Sequence, residues 1–319
     1  SFNIYYMWTV KQPSEIIFGQ DSSMHFSYPK KCLIITSKGT KSRGWLEHLK
    51  INNKHVFDCV EPNPSIETAS KIISEFQNVN FSHVVGLGGG SSLDVAKYVA
   101  RELKKKKILI PTTFGSGSEV TRISVLKVNG KKKSFHDDSL LANTAIIDPF
   151  FIKNSPVKII RNSAIDACAQ CTEAYDSKNA NPYTRFFCKT AFDILEDGIM
   201  NENYKKLPYG SLLTGLGFGN SSTTLGHALS YVYSNEGISH GHALAFTTAV
   251  AHKFNNSIFY DRFLKIVKKL KFPKISLRQN IEKASELILL DRQHLDNNPR
   301  EISKEDIRTL LQAINEPEN

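Results

Sequence analysis

An acid and an amide four residues apart, Asp166 and Gln170, interrupt the otherwise small and apolar run IDACAQCTEAY (165–175). On a helix this spacing puts both side chains on one face, one turn apart. Polar groups so placed must be satisfied by water, by a partner or by a metal ion. Downstream, LGHALSYVYSNEGISHGHALAF (225–246) gathers His227, His240 and His242 near glycine-broken helix ends. A lone histidine is more often a packed residue than a ligand. Three of them, beside a helix carrying Asp166 and Gln170, point to a metal site. The competing reading is a core helix with a polar stripe. Cys168 and Cys171 form C-A-Q-C in the same turn, but no second CxxC completes a structural zinc site. The five cysteines pair into no disulfide framework and are expected to be reduced and buried.

A second kind of chemistry is signalled in the first half. GLGGGSSLDVAK (86–97) places Gly88, Gly89, Gly90 and Ser91 between a buried strand and a helix. Glycines permit close backbone approach, and a helix N-terminus offers free N–H groups to an anion. The spacing is neither GxGxxG nor GxxxxGK[ST], so the run matches neither a standard Rossmann fingerprint nor a P-loop. Asp94, on the first helical turn, is expected to suit the helix dipole or to bond a cofactor amide or hydroxyl. PTTFGSGSEVT (111–121) follows another strand, and Thr112, Thr113, Ser116 and Ser118 supply hydroxyls that can wrap a nucleotide. Both loops lie at the carboxyl ends of parallel strands, where open α/β sheets bind ligands. Structural turns are the alternative for each loop alone.

The elements that must position these groups change character along the chain. KCLIITSKG (31–39), HVFDCVEPN (55–63), SHVVGLGGG (82–90), KILIPTTFG (107–115) and NTAIIDP (143–149) read as strands. PSIETASKIISEFQ (64–77) and SLDVAKYVARELKK (92–105) read as helices between them. This alternation predicts a parallel sheet covered on both faces. SVLKVNGKKKSF (124–135) carries the Asn-Gly signal of a hairpin. After residue 156 helical patterns dominate. Two domains follow, 1–155 as an α/β nucleotide-binding domain and 156–319 as an all-α metal and substrate domain.

Bulk properties narrow the classes. At 319 residues, two domains are the natural prior, and 40% hydrophobic with 23% charged residues describes an ordinary globular chain. No apolar run approaches the roughly 20 residues a membrane helix needs. The opening SFNIYYMWTV has no signal-peptide pattern, so a cytoplasmic location is expected. The net charge of +10 raises a nucleic-acid reading, but the lysine runs 104–107 and 131–133 carry no interleaved aromatics for base stacking. Attraction for anionic small molecules is the better use of that charge.

Taken in order, PSEIIFG, GGGSSLDVAK, PTTFGSGSEVT, AIIDP, IDACAQCTEAY, GHALS, HGHALA and NNPREISKEDIRTLLQAI resemble the iron-containing (group III) alcohol dehydrogenases nearly end to end. The resemblance implies a dinucleotide-binding α/β domain, a helical metal domain and catalysis in the cleft between them. It implies one divalent ion, Fe²⁺ or Zn²⁺, held by one Asp and three His. Asp166, His227 and His240 match three of those positions, and the fourth, usually His, is Gln170. A further family histidine is replaced by Tyr231. A subgroup resembling phosphonoacetaldehyde reductases also shows this Gln and shares the HALSY and HGHA wording, which hints at an anion-bearing aldehyde.

By the same resemblance, the acidic residue often found after the first strand is Ser37 here, with Lys38 and Lys41 close by. Removing that negative charge and adding cations favours NADP(H) over NAD(H). Asn63, closing the next strand segment, joins the expected cofactor contacts. The activity implied is interconversion of a primary alcohol and a small aldehyde. Proton delivery is expected from water, or through His242 or Tyr231. Expected partners are the small substrate and a second copy in a homodimer, without nucleic acid or membrane. Alternatives are a sugar-phosphate or polyol-phosphate dehydrogenase or cyclase of related plan, and a nucleotide-binding protein whose metal site has decayed.

Overall fold

The computed structural model describes residues 5–316. It contains two compact units, Lys11–Pro156, and the described residues from Val157 onward together with those before Lys11. The expected first domain began at residue 1. The described residues before Lys11 instead group with the helical unit, because they add no strand to the sheet, which starts only at Glu15.

In the first unit the strands are β1 (Glu15–Phe18), β2 (Cys32–Ile35), β3 (Lys54–Phe57), β4 (His83–Gly88), β5 (Lys106–Pro111), β6 (Ile123–Val128), β7 (Lys131–His136) and β8 (Thr144–Ile147). Its helices are α1 (Ser22–His25), α2 (Lys38–Ser42), α3 (Trp45–His48), α4 (Ile66–Phe76), α5 (Gly90–Glu102) and α6 (Phe150–Lys153). Six strands form one sheet in the order β1-β8-β5-β4-β2-β3, every pair parallel. The central strands are almost wholly buried, as their uninterrupted apolar sequences require of a sheet covered on both faces. Leu33, Ile35, Val84 and Leu109 of the sheet share a core cluster with Leu93, Ala96 and Val99 of α5 and Ile72 of α4.

The strand at Glu15–Phe18 was not expected as an element. Its four residues are exposed or half-buried at the edge, too few to show an alternating pattern. Asp148, just past β8, fastens the turn that follows β1. It is fully buried and accepts from Asp21 N, Ser23 N, Ser23 Oγ and Phe150 N. The expected hairpin is β6–β7, and both Asn129 and Gly130 have positive φ, the geometry of a primed two-residue turn.

The second unit is helical: α7 (Val157–Asp176), α8 (Pro182–Met200), α9 (Leu207–Phe218), α10 (Leu225–Ser234), α11 (His240–Phe254), α12 (Tyr260–Leu270), α13 (Ile281–Leu289), α14 (Arg292–Asn297) and α15 (Lys304–Asn315). A parallel-sheet unit followed by a helical one is the architecture anticipated from the sequence. One core cluster packs Leu225, Leu229 and Val232 of α10 against Ala243 and Ala251 of α11, with Ile288 and Leu311. Helix α7 is lined by Ala164, Ala167, Cys168, Ala169 and Cys171, all buried, so neighbouring helices approach it closely. No helix among the described residues is long and apolar enough to cross a membrane.

A buried polar knot ties α5 to the loop after β5. Lys97 is fully buried and donates to Ser118 O, Thr121 Oγ1 and Ile123 O. Asp94 accepts from Ser118 Oγ at 2.6 Å and from Val125 N at 3.1 Å, with Lys97 Nζ at 3.6 Å. Glu119 lies beside this knot, 1% exposed, and burial pushes its carboxyl up to about 7. A carboxyl raised on folding adds stability below its unfolded pKa and loses it as pH climbs through the folded value. Glu119→Gln should therefore match wild type near pH 4.5 and exceed it above pH 7, by up to about 3 kcal/mol. Urea midpoints at the two pH values check this.

Candidate metal centre

Helix α7 presents Asp166, Gln170 and Glu173 at i, i+4 and i+7, one continuous face. All three are buried. An Asp166 oxygen and one ring nitrogen each from His227 and His240 lie within 4.8 Å of one another. His240 Nε2 stands 3.4 Å from Asp166 Oδ1. That is long for a charged hydrogen bond, yet two donors each roughly 2.1 Å from one tetrahedral ion are about 3.4 Å apart. One carboxylate and two imidazoles are also the donor set that suits Fe²⁺ or Zn²⁺. The residues fit a divalent ion.

Gln170 is placed differently from a ligand. Its Nε2 donates to Asp166 Oδ1 at 2.6 Å, so the amide orients the acid. Burial raises the Asp166 pKa, but His240, His227 and the Gln170 bond outweigh it and hold the carboxyl below its ordinary range. The acid therefore stays ionised, as a ligand must.

Glu173 closes the arrangement from behind. Its Oε2 lies 2.8 Å from His227 Nδ1 and accepts from Thr248 Oγ1, while Oε1 accepts from Thr224 N, Thr224 Oγ1 and His227 N. Helix α10 has no side-chain cap of its own, so this carboxylate caps its N-terminus from α7. Burial alone would raise the Glu173 pKa, but His227 above all, then His252 and Thr248, bring it down to about 2. Two glycines permit the approach. A Cβ on Gly226 would sit 2.7 Å from Glu173 Oε2, and one on Gly241 would sit 2.2 Å from the Asn162 carbonyl oxygen.

In the first unit, Gly88 ends β4, Gly89 caps α5, and Gly90 and Ser91 begin it. Thr112 N bonds Gly88 O at 2.9 Å, so the two loops run side by side at the strand ends. Thr113 and Ser116 are half-buried there, whereas Thr112 is buried. Ser37 caps α2 by accepting from Thr40 N. Lys38 is exposed, and Lys41 pairs with Asp58 at 2.6 Å. Asn63 is exposed with positive φ in the loop after β3.

A parallel nucleotide-type sheet and an Asp-His-His cluster on three helices find their counterpart in known proteins. The model of the iron-containing alcohol dehydrogenase matches residues 13–149, and that of the Fe-containing alcohol dehydrogenase family C-terminal domain matches residues 160–290. The chain belongs to the iron-containing alcohol dehydrogenase family. It is 35% identical over 209 residues to the 4-hydroxybutyrate dehydrogenase of Clostridium kluyveri, covering 56% of each chain. It is 36% identical over 221 residues to long-chain-alcohol dehydrogenase 1 of Geobacillus thermodenitrificans, covering 60% of this chain and 56% of that one. The chain thus spans little more than half the length of these curated relatives. The iron-containing alcohol dehydrogenase of Thermotoga maritima superposes with a TM-score of 0.87 at 26% identity, covering 97% of this chain and 99% of that structure.

Within this member of the family, three expectations need correction. His242 is no proton donor to the cluster, because its Nε2 faces the Pro273 carbonyl at 2.6 Å and its ring stacks on Phe272. Asp94 and Ser118 are not cofactor contacts, since their polar atoms bond each other and the buried knot. Cys59 is exposed, although the other four cysteines are buried thiols as expected. Tyr231 does lie nearby, with its ring edge-on to His294 at 5.7 Å.

His294 itself was missed. It is 5% exposed, its Nδ1 meets Asp291, and its ring lies parallel to that of His227 at 6.2 Å. DRQH carries the acid–histidine spacing but falls far from the motif histidines in sequence. Glu173 was missed as well, although its i+7 spacing from Asp166 was a readable signal. Gly241→Ala should force α11 away from α7 and separate His240 from Asp166. The expected result is a loss of about 1–3 kcal/mol in stability and at least about tenfold weaker metal binding, read by urea melts and Zn²⁺ titration.

Proposed function

We propose that this chain is an NAD(P)-dependent, metal-assisted alcohol dehydrogenase that reduces a small aldehyde to its primary alcohol. The observation carrying the proposal is the meeting of Asp166, His227 and His240 within one ion's reach, on three different helices. A divalent ion there supplies Lewis-acid polarisation of a carbonyl oxygen, and a nicotinamide supplies hydride. The protein's own part is positional. Asp166 stays ionised under the influence of both histidines, Gln170 holds its Oδ1, and Glu173 holds His227. In the first unit the turn Gly88–Ser91 and the hydroxyls of Thr113 and Ser116 are the contacts assigned to the dinucleotide phosphates.

Two finer readings have separate support. NADP(H) over NAD(H) follows from Ser37 and exposed Lys38 at the end of β2, although Lys41 is partly neutralised by Asp58. An anion-bearing aldehyde, such as a phosphonoaldehyde, is favoured by the net charge of +10. A relative named for 4-hydroxybutyrate, itself an anionic alcohol, points the same way.

The test is aldehyde reduction by chelated protein, with NADPH or NADH, as Fe²⁺ and Zn²⁺ are restored singly. Activity should return only with metal. An active chelated enzyme removes the polarisation mechanism, and tight NADPH binding without turnover under any metal favours the decayed-site alternative. Ser37→Asp should lower kcat/KM for NADPH about tenfold and spare NADH. Gln170→His should strengthen Zn²⁺ binding about tenfold or more by adding an imidazole one turn from Asp166, measured by competition with a chelating dye.

A further inference from the structure

We infer that Glu173 is the positioning residue that makes His227 a metal ligand, by fixing its tautomer and its location relative to Asp166 and His240. This deepens the metal-assisted reading above and rests on it. A carboxylate oxygen only accepts, and Glu173 Oε2 stands 2.8 Å from His227 Nδ1. A ring hydrogen therefore sits on Nδ1, and in the neutral ring the lone pair is the one on Nε2, the atom a cation would use. The opposite tautomer would set a lone pair against the carboxylate and carry an N–H where the ligand atom is needed.

Location is fixed by the same group. Thr224 N and His227 N both donate to Oε1, at 3.1 Å each, so the backbone that carries His227 is bonded as well as its ring. Thr248 Oγ1 donates to Oε2 at 2.8 Å and belongs to α11, the helix that begins with His240. Asp166 lies two turns before Glu173 on α7. One side chain thus sets the relative positions of the helices bearing all three ligand groups. Gly226 belongs to this device, since a Cβ there would press within 2.5 Å of Thr248 Oγ1 as well as on the carboxylate. An amide could not replace the acid without penalty. Its oxygen satisfies one side of this ring of donors, and its NH₂ then confronts the other.

The experiment uses the full chain, ¹⁵N-labelled at histidine. Long-range ¹H–¹⁵N spectra of the metal-free protein read the His227 tautomer, and Co²⁺ titration read by visible absorption gives ligand geometry and affinity. Wild type should show His227 protonated at Nδ1. Glu173→Gln should populate the Nε2–H form and weaken Co²⁺ binding about 10- to 100-fold, with an altered visible band and native near-ultraviolet dichroism. Thr248→Val removes the tie to α11 and leaves the ring bond, so it should keep the Nδ1–H tautomer and weaken Co²⁺ binding less than Glu173→Gln does. A wild-type His227 protonated at Nε2 overturns the inference without any variant. A folded Glu173→Gln protein with unchanged tautomer and Co²⁺ affinity overturns it too. Failure of wild type to bind Co²⁺ would defeat the metal reading, whereas the tautomer is read without metal and tests Glu173 separately.

Discussion

Taking a carboxylate out of water costs several kcal/mol unless its lone pairs are taken up by donors. Glu173, 1% exposed, meets that demand with two backbone amides, two threonine hydroxyls and an imidazole. Because the donors come from α10 and α11, the satisfaction of one buried charge dictates where both helices can lie against α7. Small residues complete the fit: alanines and cysteines along α7, and glycines at 226 and 241. The Asp166–His240 separation follows from that packing. Chemistry at the cluster is downstream of a helix-packing problem solved around a single acid.

Gln170 takes on a different meaning in this setting. The resemblance read from the sequence implies a histidine at this position, and on ligand softness alone an amide there weakens a transition-metal site. In the folded chain its amide spends a hydrogen bond on Asp166, the acid of the cluster with His227 and His240. On the proposed metal reading, the chain exchanges a fourth ligand for control over the acidic one. Under that same reading, control of that kind matters because Asp166 is the acid in a cluster otherwise made of two histidines.

Much of the fold could be read directly. Strands β2, β4 and β5 are built on short apolar runs, β4 ending at Gly88 and β5 at Pro111, and Asn129-Gly130 carries the positive φ of a hairpin turn. Asp166 and the histidines were visible by type and spacing. What stayed hidden depends on distance along the chain. The edge strand Glu15–Phe18 is defined by its partner β8, some 130 residues later. His294 shares its neighbourhood with His227 only because α14 packs on α10. Asp94 and His242 looked like chemistry because their types and positions were right, but Val125 N and the Pro273 carbonyl, both remote in sequence, had already claimed them. Local pattern reports which groups are available, and tertiary bonding decides which are spent.

The glycine contacts also bear on which ion the site admits. Where side chains alone define a cage, a rotamer change can widen it at little cost. Here the helices that carry Asp166 and His240 meet backbone to backbone, with Gly241 seated on the Asn162 carbonyl. An ion that needed these helices farther apart would have to displace one of them, and that displacement would also pull Thr248 from Glu173. On the proposed metal reading, selection among divalent ions would then be partly a matter of mechanical stiffness, with the scaffold resisting poor size while the ligands resist poor chemistry.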